Sequence, residues 1–130
     1  MGYSKDGPCL RFTLSFLKVK KYSFAKRFEG GPGLVHGGIL SAALDDMMGY
    51  STVIHNIFSV TANLSVNFLK PTPVEKDFEL YAWVKEVDNK KVFTEAVIQL
   101  GEQIHVEAHG MFIDLGLDAA EFFAPDKNYP

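Results

Sequence analysis

Two adjacent carboxylates, Asp45 and Asp46, are the residues of this sequence that point most directly to chemistry. They are the only charged residues in Gly37–Val53, GGILSAALDDMMGYSTV, which apolar spacing predicts to be one helix. A helix with so little charge must be enclosed nearly all round. A carboxylate removed from water is costly unless it is paired, hydrogen-bonded or exposed in a wet cleft. We therefore expect at least one of the two to have a function, and a buried carboxylate is suited to act as a base.

The predicted helix begins directly after His36, within the sequence VHGG. Helix N-termini present unpaired backbone N–H groups and a partial positive charge, so this entry supplies donors where an oxyanion could sit. The glycines allow a ligand to approach closely. Because Asp45 lies a little over two turns further along, one helix carries both a carboxylate and an oxyanion-type donor.

The two faces of the predicted helix differ in the size of their side chains. One is a broad apolar stripe of Ile39, Leu40, Ala43, Leu44, Met47 and Met48. The other is made of small residues around one acid, namely Gly38, Ser41, Ala42, Asp45 and Gly49. Small side chains let another backbone or a slender ligand come close, and Asp45 would point into that contact. Alternatively, one aspartate caps or pairs with a neighbouring element and the other is solvated. Asp46, nearer the edge of the stripe, is interpreted as structural.

Segments that alternate apolar and polar residues flank the helix and are predicted to be strands. Before the helix they are Leu10–Leu17 and, more weakly, Tyr22–Glu29, followed by the glycine-rich loop EGGPGLVHGG. After the helix they are Ser59–Leu69, Phe78–Val87, Lys91–Leu100 and Ile104–Ile113. The last three are separated by DNK and GEQ, which are short enough for hairpin turns. The order predicts two strands, one buried helix and an antiparallel meander of four strands, an α+β domain that spans residues 1–130.

The faces of Ser59–Leu69 and of the helix lead to two further expectations. In regular alternation, Thr61 lies in phase with Asn63, Ser65 and Asn67 on a solvated face of its strand. One sheet covers only part of a helix, so the small-residue face of the helix needs another cover. A second copy of the chain is the simplest cover, and we infer a homodimer.

Composition excludes several classes of protein. The sequence has 130 residues, 47% hydrophobic, with 13 basic and 16 acidic residues and a net charge of -3. Because this net charge is negative, it does not favour nucleic acid or an anionic membrane as the primary partner. The single cysteine, Cys9, excludes an internal disulfide and a multi-cysteine zinc site. No stretch approaches a membrane span, and Met1–Lys21 lacks a signal pattern, so we expect a cytoplasmic protein.

The motif GLVHGGILSAALDD, followed by SVTANLSVNFLKPTPV, resembles the hot-dog-fold acyl-CoA thioesterases. The resemblance is to the phenylacetate-degradation type, and to mammalian thioesterase superfamily members whose loop reads GPGLVHGG. It extends from about Cys9 to Asp114. It implies one long central helix wrapped by an antiparallel sheet, a homodimer or dimer of dimers (a homotetramer), and hydrolysis of an acyl-CoA thioester without a further cofactor.

The resemblance also implies roles for four residues. Asp45 matches the helix carboxylate that acts as general base or nucleophile, and Gly37 matches the glycine whose N–H polarises the thioester carbonyl. Thr61 matches a Ser/Thr that holds the attacking water and reaches the acid of the other subunit. His36 matches the motif histidine, which fixes the loop or contacts the carbonyl side. The sequence departs from one branch at Gly30, where that branch has Asn.

Thioester hydrolysis needs a polarised carbonyl and a base or nucleophile near the acyl carbon, which Gly37 and Asp45 could supply. The alternative from another class is a non-catalytic acyl-CoA or acyl-carrier binding module. A hot-dog hydratase would need a GDxNPxH segment, which is absent. His105 and His109 share a strand face, but no third ligand accompanies them, so we expect no metal site.

Overall fold

A computed structural model describes residues 16–117 as five strands, one long helix and one short 3-10 helix. The strands are β1 (Leu17–Ser23), β2 (Ser59–Phe68), β3 (Asp77–Asp88), β4 (Lys91–Leu100) and β5 (Gln103–Asp114). The long helix is α1 (Gly37–Val53), and the 3-10 helix is Lys26–Phe28. No helix in this part of the chain has the length and apolar character needed to cross a membrane.

The five strands form one antiparallel sheet in the order β1-β3-β4-β5-β2, and α1 packs against one of its faces. The buried residues of the helix that face the sheet are Leu40, Leu44, Met47 and Met48. Sheet residues packed in the same core include Phe78, Leu80, Ala82, Ala96, Ile98, Val106, Ala108 and Phe112. This architecture of one helix against an antiparallel sheet agrees with the predicted α+β hot-dog fold. The predicted meander of four strands is wrong, because only β3, β4 and β5 are neighbours in sequence order and β2 pairs with β5 instead of β3.

The face of α1 that points away from the sheet stays open. Ala42 and Asp46 are exposed on it, and Tyr50 is 62% exposed. Residues 16–117 therefore do not enclose the helix all round, and they leave its small-residue face without a cover.

The predicted strand Tyr22–Glu29 is wrong, because β1 ends at Ser23. Phe24 is buried in the core, and the chain then turns through the 3-10 helix. The backbone hydrogen bonds become local here, since Phe28 N–H donates to the Ala25 carbonyl. The sequence pattern did not show that the strand ends at Ser23. A buried residue such as Phe24 followed by a turn can give the same alternation of apolar and polar residues as a short strand. Most of the predicted strand Leu10–Leu17 lies outside the described residues.

β2 contains a bulge that changes which side chains face the helix. Thr61 pairs with Phe112 and Asn63 pairs with Met111, so the intervening Ala62 has no partner on β5. Paired residues share a face, and Phe112 belongs to the core under α1. Thr61 therefore lies on the helix side of the sheet, and the prediction that it shares the solvated face of Asn63 is wrong. An extra unpaired residue reverses the alternation on one side of it.

Candidate active site

Asp45 and Thr61 meet where α1 crosses the start of β2. The Thr61 hydroxyl donates a hydrogen bond to the Asp45 carboxylate, with 2.7 Å between Oγ1 and Oδ1. Asp45 is half-buried and Thr61 is exposed, so the pair remains open to a ligand. The contact forms within one chain, whereas the resemblance implied that the hydroxyl reaches the acid of another subunit.

A cleft of about 330 Å³ opens beside this pair. It is lined by Asp45, Asp46, Gly49, Tyr50, Val53, Phe58, Ser59, Val60, Thr61 and Phe112. One wall carries the carboxylate and hydroxyl, and much of the rest is aromatic or aliphatic. Apolar walls with a few convergent polar groups are typical of small-molecule sites. The cleft can therefore hold an apolar group next to a proton acceptor.

The cleft contains residues that the sequence analysis did not select, notably Tyr50 and Phe58. Tyr50 follows Asp46 by four positions, so the two side chains lie on one side of α1. That spacing was a usable signal for Tyr50. Phe58 precedes β2, and only the tertiary structure brings it to the helix.

Asp46 occupies a different environment from its neighbour. It is exposed and makes no hydrogen bond or ion pair with other residues in the range 16–117. It lies between the cleft beside Asp45 and a smaller one of about 180 Å³. The two neighbouring aspartates therefore differ in how their carboxylates are oriented. A hydrogen bond from Thr61 fixes the Asp45 carboxylate, and no described residue does the same for Asp46.

His36 is the N-cap of α1. Its Nδ1 accepts a hydrogen bond from the Gly38 N–H at 2.9 Å, and its own backbone N–H donates to the Phe28 carbonyl at 2.8 Å. An N-cap side chain satisfies one of the unpaired donors of the first turn. The His36 ring thus fixes the loop to the helix, which is one of the two roles considered for it.

Two glycines make room for this ring. A Cβ on Gly38 would lie 3.0 Å from the His36 imidazole, and a Cβ on Gly30 would lie 3.1 Å from the His36 Cα. Both distances are tighter than ordinary carbon contacts. One branch of the family has Asn where this sequence has Gly30. A side chain at this position would lie against His36.

The N–H of Gly37 has no acceptor among the described residues. It stands at the first position of α1, where no carbonyl within the helix can reach it. The Phe68 ring lies beside Gly37, since a Cβ on Gly37 would be 3.5 Å from Phe68 Cζ. This donor is available to a ligand next to an aromatic wall.

The structure does not bring Gly37 and Asp45 of one chain together. Eight positions along a helix correspond to about 12 Å, and N-terminal N–H groups point out of the helix end. A carbonyl bound at Gly37 would thus lie beyond the end of α1, away from Asp45. Within a single chain, the two groups cannot act on the same carbonyl.

His105 and His109 have separate partners. His105 is buried, with its Nδ1 2.9 Å from the Pro71 carbonyl oxygen, and His109 contacts Glu95. Residues 16–117 contain no cluster of three or more side chains that could hold a metal ion.

Comparison with known proteins identifies the family. The family model described as the thioesterase superfamily matches residues 32–107. The chain belongs to the thioesterase superfamily. The match includes the VHGG entry, the helix with Asp45, and β2 with Thr61, so the resemblance stated from the sequence is confirmed.

Similar proteins agree with this assignment to the thioesterase superfamily. The chain is 33% identical over 118 residues to acyl-coenzyme A thioesterase THEM4 of Xenopus laevis, covering 85% of this chain and 53% of that protein. The chain thus spans about half the length of the curated relatives it matches.

Two solved structures of lower identity share the hot-dog fold. The PaaI protein of the E. coli phenylacetic acid degradation operon has a TM-score of 0.72 and 17% identity, covering 79% of this chain and 75% of that chain. A hypothetical thioesterase of Streptococcus pneumoniae with coenzyme A has a TM-score of 0.75 and 16% identity, covering 83% and 87%. The predicted hot-dog fold is confirmed.

Proposed function

We propose that this protein hydrolyses acyl-CoA thioesters to a free acid and coenzyme A. The observation that carries the proposal is the hydrogen bond from Thr61 to Asp45 at the edge of a largely apolar cleft. The names of the related acyl-coenzyme A thioesterases and the coenzyme A in a structure of similar fold support it.

In the proposed mechanism, Asp45 is the base or nucleophile. As a base, its free carboxylate oxygen takes a proton from water, and the resulting hydroxide adds to the acyl carbon. Negative charge then develops on the carbonyl oxygen, where the Gly37 N–H donates a hydrogen bond. The intermediate collapses with release of the coenzyme A thiolate, which takes up a proton. Thr61 orients the carboxylate and the water, and His36 holds the donor loop.

The mechanism requires a second copy of the chain. Gly37 begins α1 and Asp45 lies near its middle, about 12 Å further along. The proposed site therefore combines Asp45 and Thr61 of one copy with Gly37 and His36 of the other. Two antiparallel helices related by a two-fold axis would supply this arrangement twice. The open face of α1, with small residues around Asp45, suits such close packing.

The edge strand β2 is the proposed route to this dimer. Among the described residues, β2 pairs with β5 alone. Leu64 and Phe68 on this strand are 37% and 54% exposed. An unpaired strand edge with apolar side chains is a template for pairing with another chain. Two copies joined through β2 would form one continuous sheet.

We expect a homodimer in solution, with a mass by light scattering of twice the 14.5 kDa of one chain. Replacing Leu64 with Lys should shift the mass towards the monomer, since a charge on an edge strand opposes pairing. Turnover per chain should fall in parallel, because the monomer lacks half of each site. A purely 14.5 kDa species with full turnover would refute the proposed dimer.

The alternative function is a non-catalytic module that binds acyl-CoA or an acyl carrier. A panel of short, long and aryl acyl-CoA esters separates the two possibilities when binding and free thiol are measured on the same samples. The proposal predicts thiol release above the buffer rate for at least one ester. Saturable binding without thiol release on every ester would favour the binding module.

A further inference from the structure

A buried carboxylate on the face of the sheet opposite α1 has one oxygen without a hydrogen bond. Glu95 on β4 is 1% exposed, and its neighbour Ala96 packs in the core under α1, so Glu95 points to the other face. Its Oε1 accepts a hydrogen bond from the Trp83 indole N–H at 3.2 Å. Its Oε2 is buried and has no hydrogen-bond partner among the described residues. An unsatisfied buried carboxylate oxygen is costly, and a donor on a ligand would remove that cost.

Two basic side chains lie near Oε2 without donating a hydrogen bond to it. Nδ1 of His109 is 3.1 Å away and Nζ of Lys85 is 3.8 Å away. Neither contact has the geometry of a hydrogen bond. The side chains of Lys85 and His109 are 48% and 47% exposed, so either can turn towards water. A ligand can therefore reach Oε2 by displacing one of them.

A cavity of about 460 Å³ opens on this face of the sheet, and Glu95, Lys85 and His109 line it. Its apolar part is formed by Phe93 and Met111, which are directly opposite each other on β4 and β5. Phe93 is two positions from Glu95 on the same face of β4, a distance of about 7 Å along a strand. The cavity thus combines an apolar pair with a nearby carboxylate that lacks a partner. Its volume falls within the range of small-molecule pockets.

The charges around the cavity favour a ligand with one positive group. The lining residues include two carboxylates, Glu86 and Glu95, and one ammonium, Lys85. Because Trp83 already donates to Oε1 of Glu95, a ligand finds only Oε2 without a donor. One such oxygen suits the single N–H of an ammonium group, whereas the planar fork of a guanidinium matches two carboxylate oxygens.

We propose that this cavity binds small primary amines that carry an aromatic ring on a short alkyl chain, such as 2-phenylethylamine. The ammonium donates a hydrogen bond to Oε2 of Glu95 in place of the ion pair with Lys85. The aromatic ring packs against Phe93 and Met111, and both phenylalanine and methionine make favourable contacts with aromatic rings. The site is separate from Asp45, which lies on the helix side of the sheet.

The only tryptophan of the chain is a probe for this site, because the Trp83 indole donates to the carboxylate that the amine engages. Titration of the full chain with 2-phenylethylamine should give a saturable change in Trp83 fluorescence, with one amine bound per chain by calorimetry. The neutral analogue 2-phenylethanol keeps the ring and the chain but lacks the ammonium, so it should bind at least about 10-fold more weakly. The proposal is wrong if the amine does not bind saturably or if the alcohol binds equally well.

Three variants test the role of each charge. Glu95→Gln keeps an acceptor for Trp83 and removes the negative charge, so affinity for the amine should fall by about 10- to 150-fold, as expected for a hydrogen bond to a charged group. Lys85→Met removes the competing ammonium and should tighten amine binding several-fold. Glu86→Gln is the matched control, since it makes the same change on an exposed carboxylate of the same cavity. Its affinity should stay within about fivefold of the parent.

Melting temperature and mass in solution show whether each variant folds and assembles like the parent. Unchanged amine affinity in folded Glu95→Gln would overturn the proposal. If Glu95→Gln does not fold, Lys85→Met decides, and amine binding that is no tighter than in the parent counts against the site. A change of mass in folded Glu95→Gln would instead assign the Oε2 oxygen to a contact between copies of the chain and overturn the proposal. None of these measurements depends on acyl-CoA hydrolysis.

Discussion

The Asp45→Asn variant is expected to lose thioester hydrolysis by about 10²- to 10⁴-fold, the usual cost of removing a general base. Asparagine keeps the shape of the side chain and can still accept the Thr61 hydrogen bond, but it cannot take a proton from water. Folding and dimerisation should be unchanged. The measurement is thiol release at saturating and limiting acyl-CoA, together with the mass in solution and the melting temperature.

Asp46→Asn is the matched control for this experiment. It makes the same chemical change one position along α1, on a carboxylate that is exposed and has no hydrogen bond to the described residues. It should retain turnover close to that of the parent. The assignment of Asp45 is wrong if Asp45→Asn keeps parental turnover on every ester the parent cleaves, or if Asp46→Asn is the inactive variant.

Replacing Thr61 with Val should reduce kcat/KM by about 10- to 150-fold. Valine has nearly the same shape, so the change mainly removes the hydroxyl that donates to Asp45 at 2.7 Å. Hydrogen bonds to charged groups contribute about 1.5–3 kcal/mol, and every 1.36 kcal/mol of transition-state stabilisation is tenfold in rate. The loss should appear mainly in kcat, because the hydroxyl positions the carboxylate and its water.

Thr61→Ser tests whether the hydroxyl itself is responsible. Serine restores the donor without the methyl group, so most of the lost rate should return. If Thr61→Ser is as impaired as Thr61→Val, packing of the methyl group is the cause. If neither variant loses rate, the hydrogen bond to Asp45 has no part in turnover.

The elements that carry the proposed site were largely predictable from the sequence. The helix prediction Gly37–Val53 agrees with α1, and Lys91–Leu100 agrees with β4. Both have strong local signals: an apolar helical period that begins after two glycines, and regular alternation between turn residues. Asp45 was singled out because charge is rare on its helix, and its half-buried position next to a donor agrees with that reasoning.

The position of Thr61 could not be predicted from the pattern of β2. Regular alternation put it with Asn63, and the resemblance alone suggested a role near the acid. Whether a strand contains a bulge depends on pairing with β5, a contact distant in sequence. The intrachain partner of Asp45 was missed for the same reason.

The bulge at Ala62 also directs the hydroxyl side chains of β2 to both faces of the sheet. Before it, Ser59 and Thr61 turn their hydroxyls to the helix, where they meet Thr52 and Asp45. After it, Ser65 turns to the opposite surface. A chain one residue shorter at Ala62 would turn Thr61 away from Asp45 and leave Ser65 beside His109. A single unpaired residue thus places hydroxyls that are close in sequence on opposite faces of the sheet. A substitution of one of them therefore leaves the surface that carries the other unchanged.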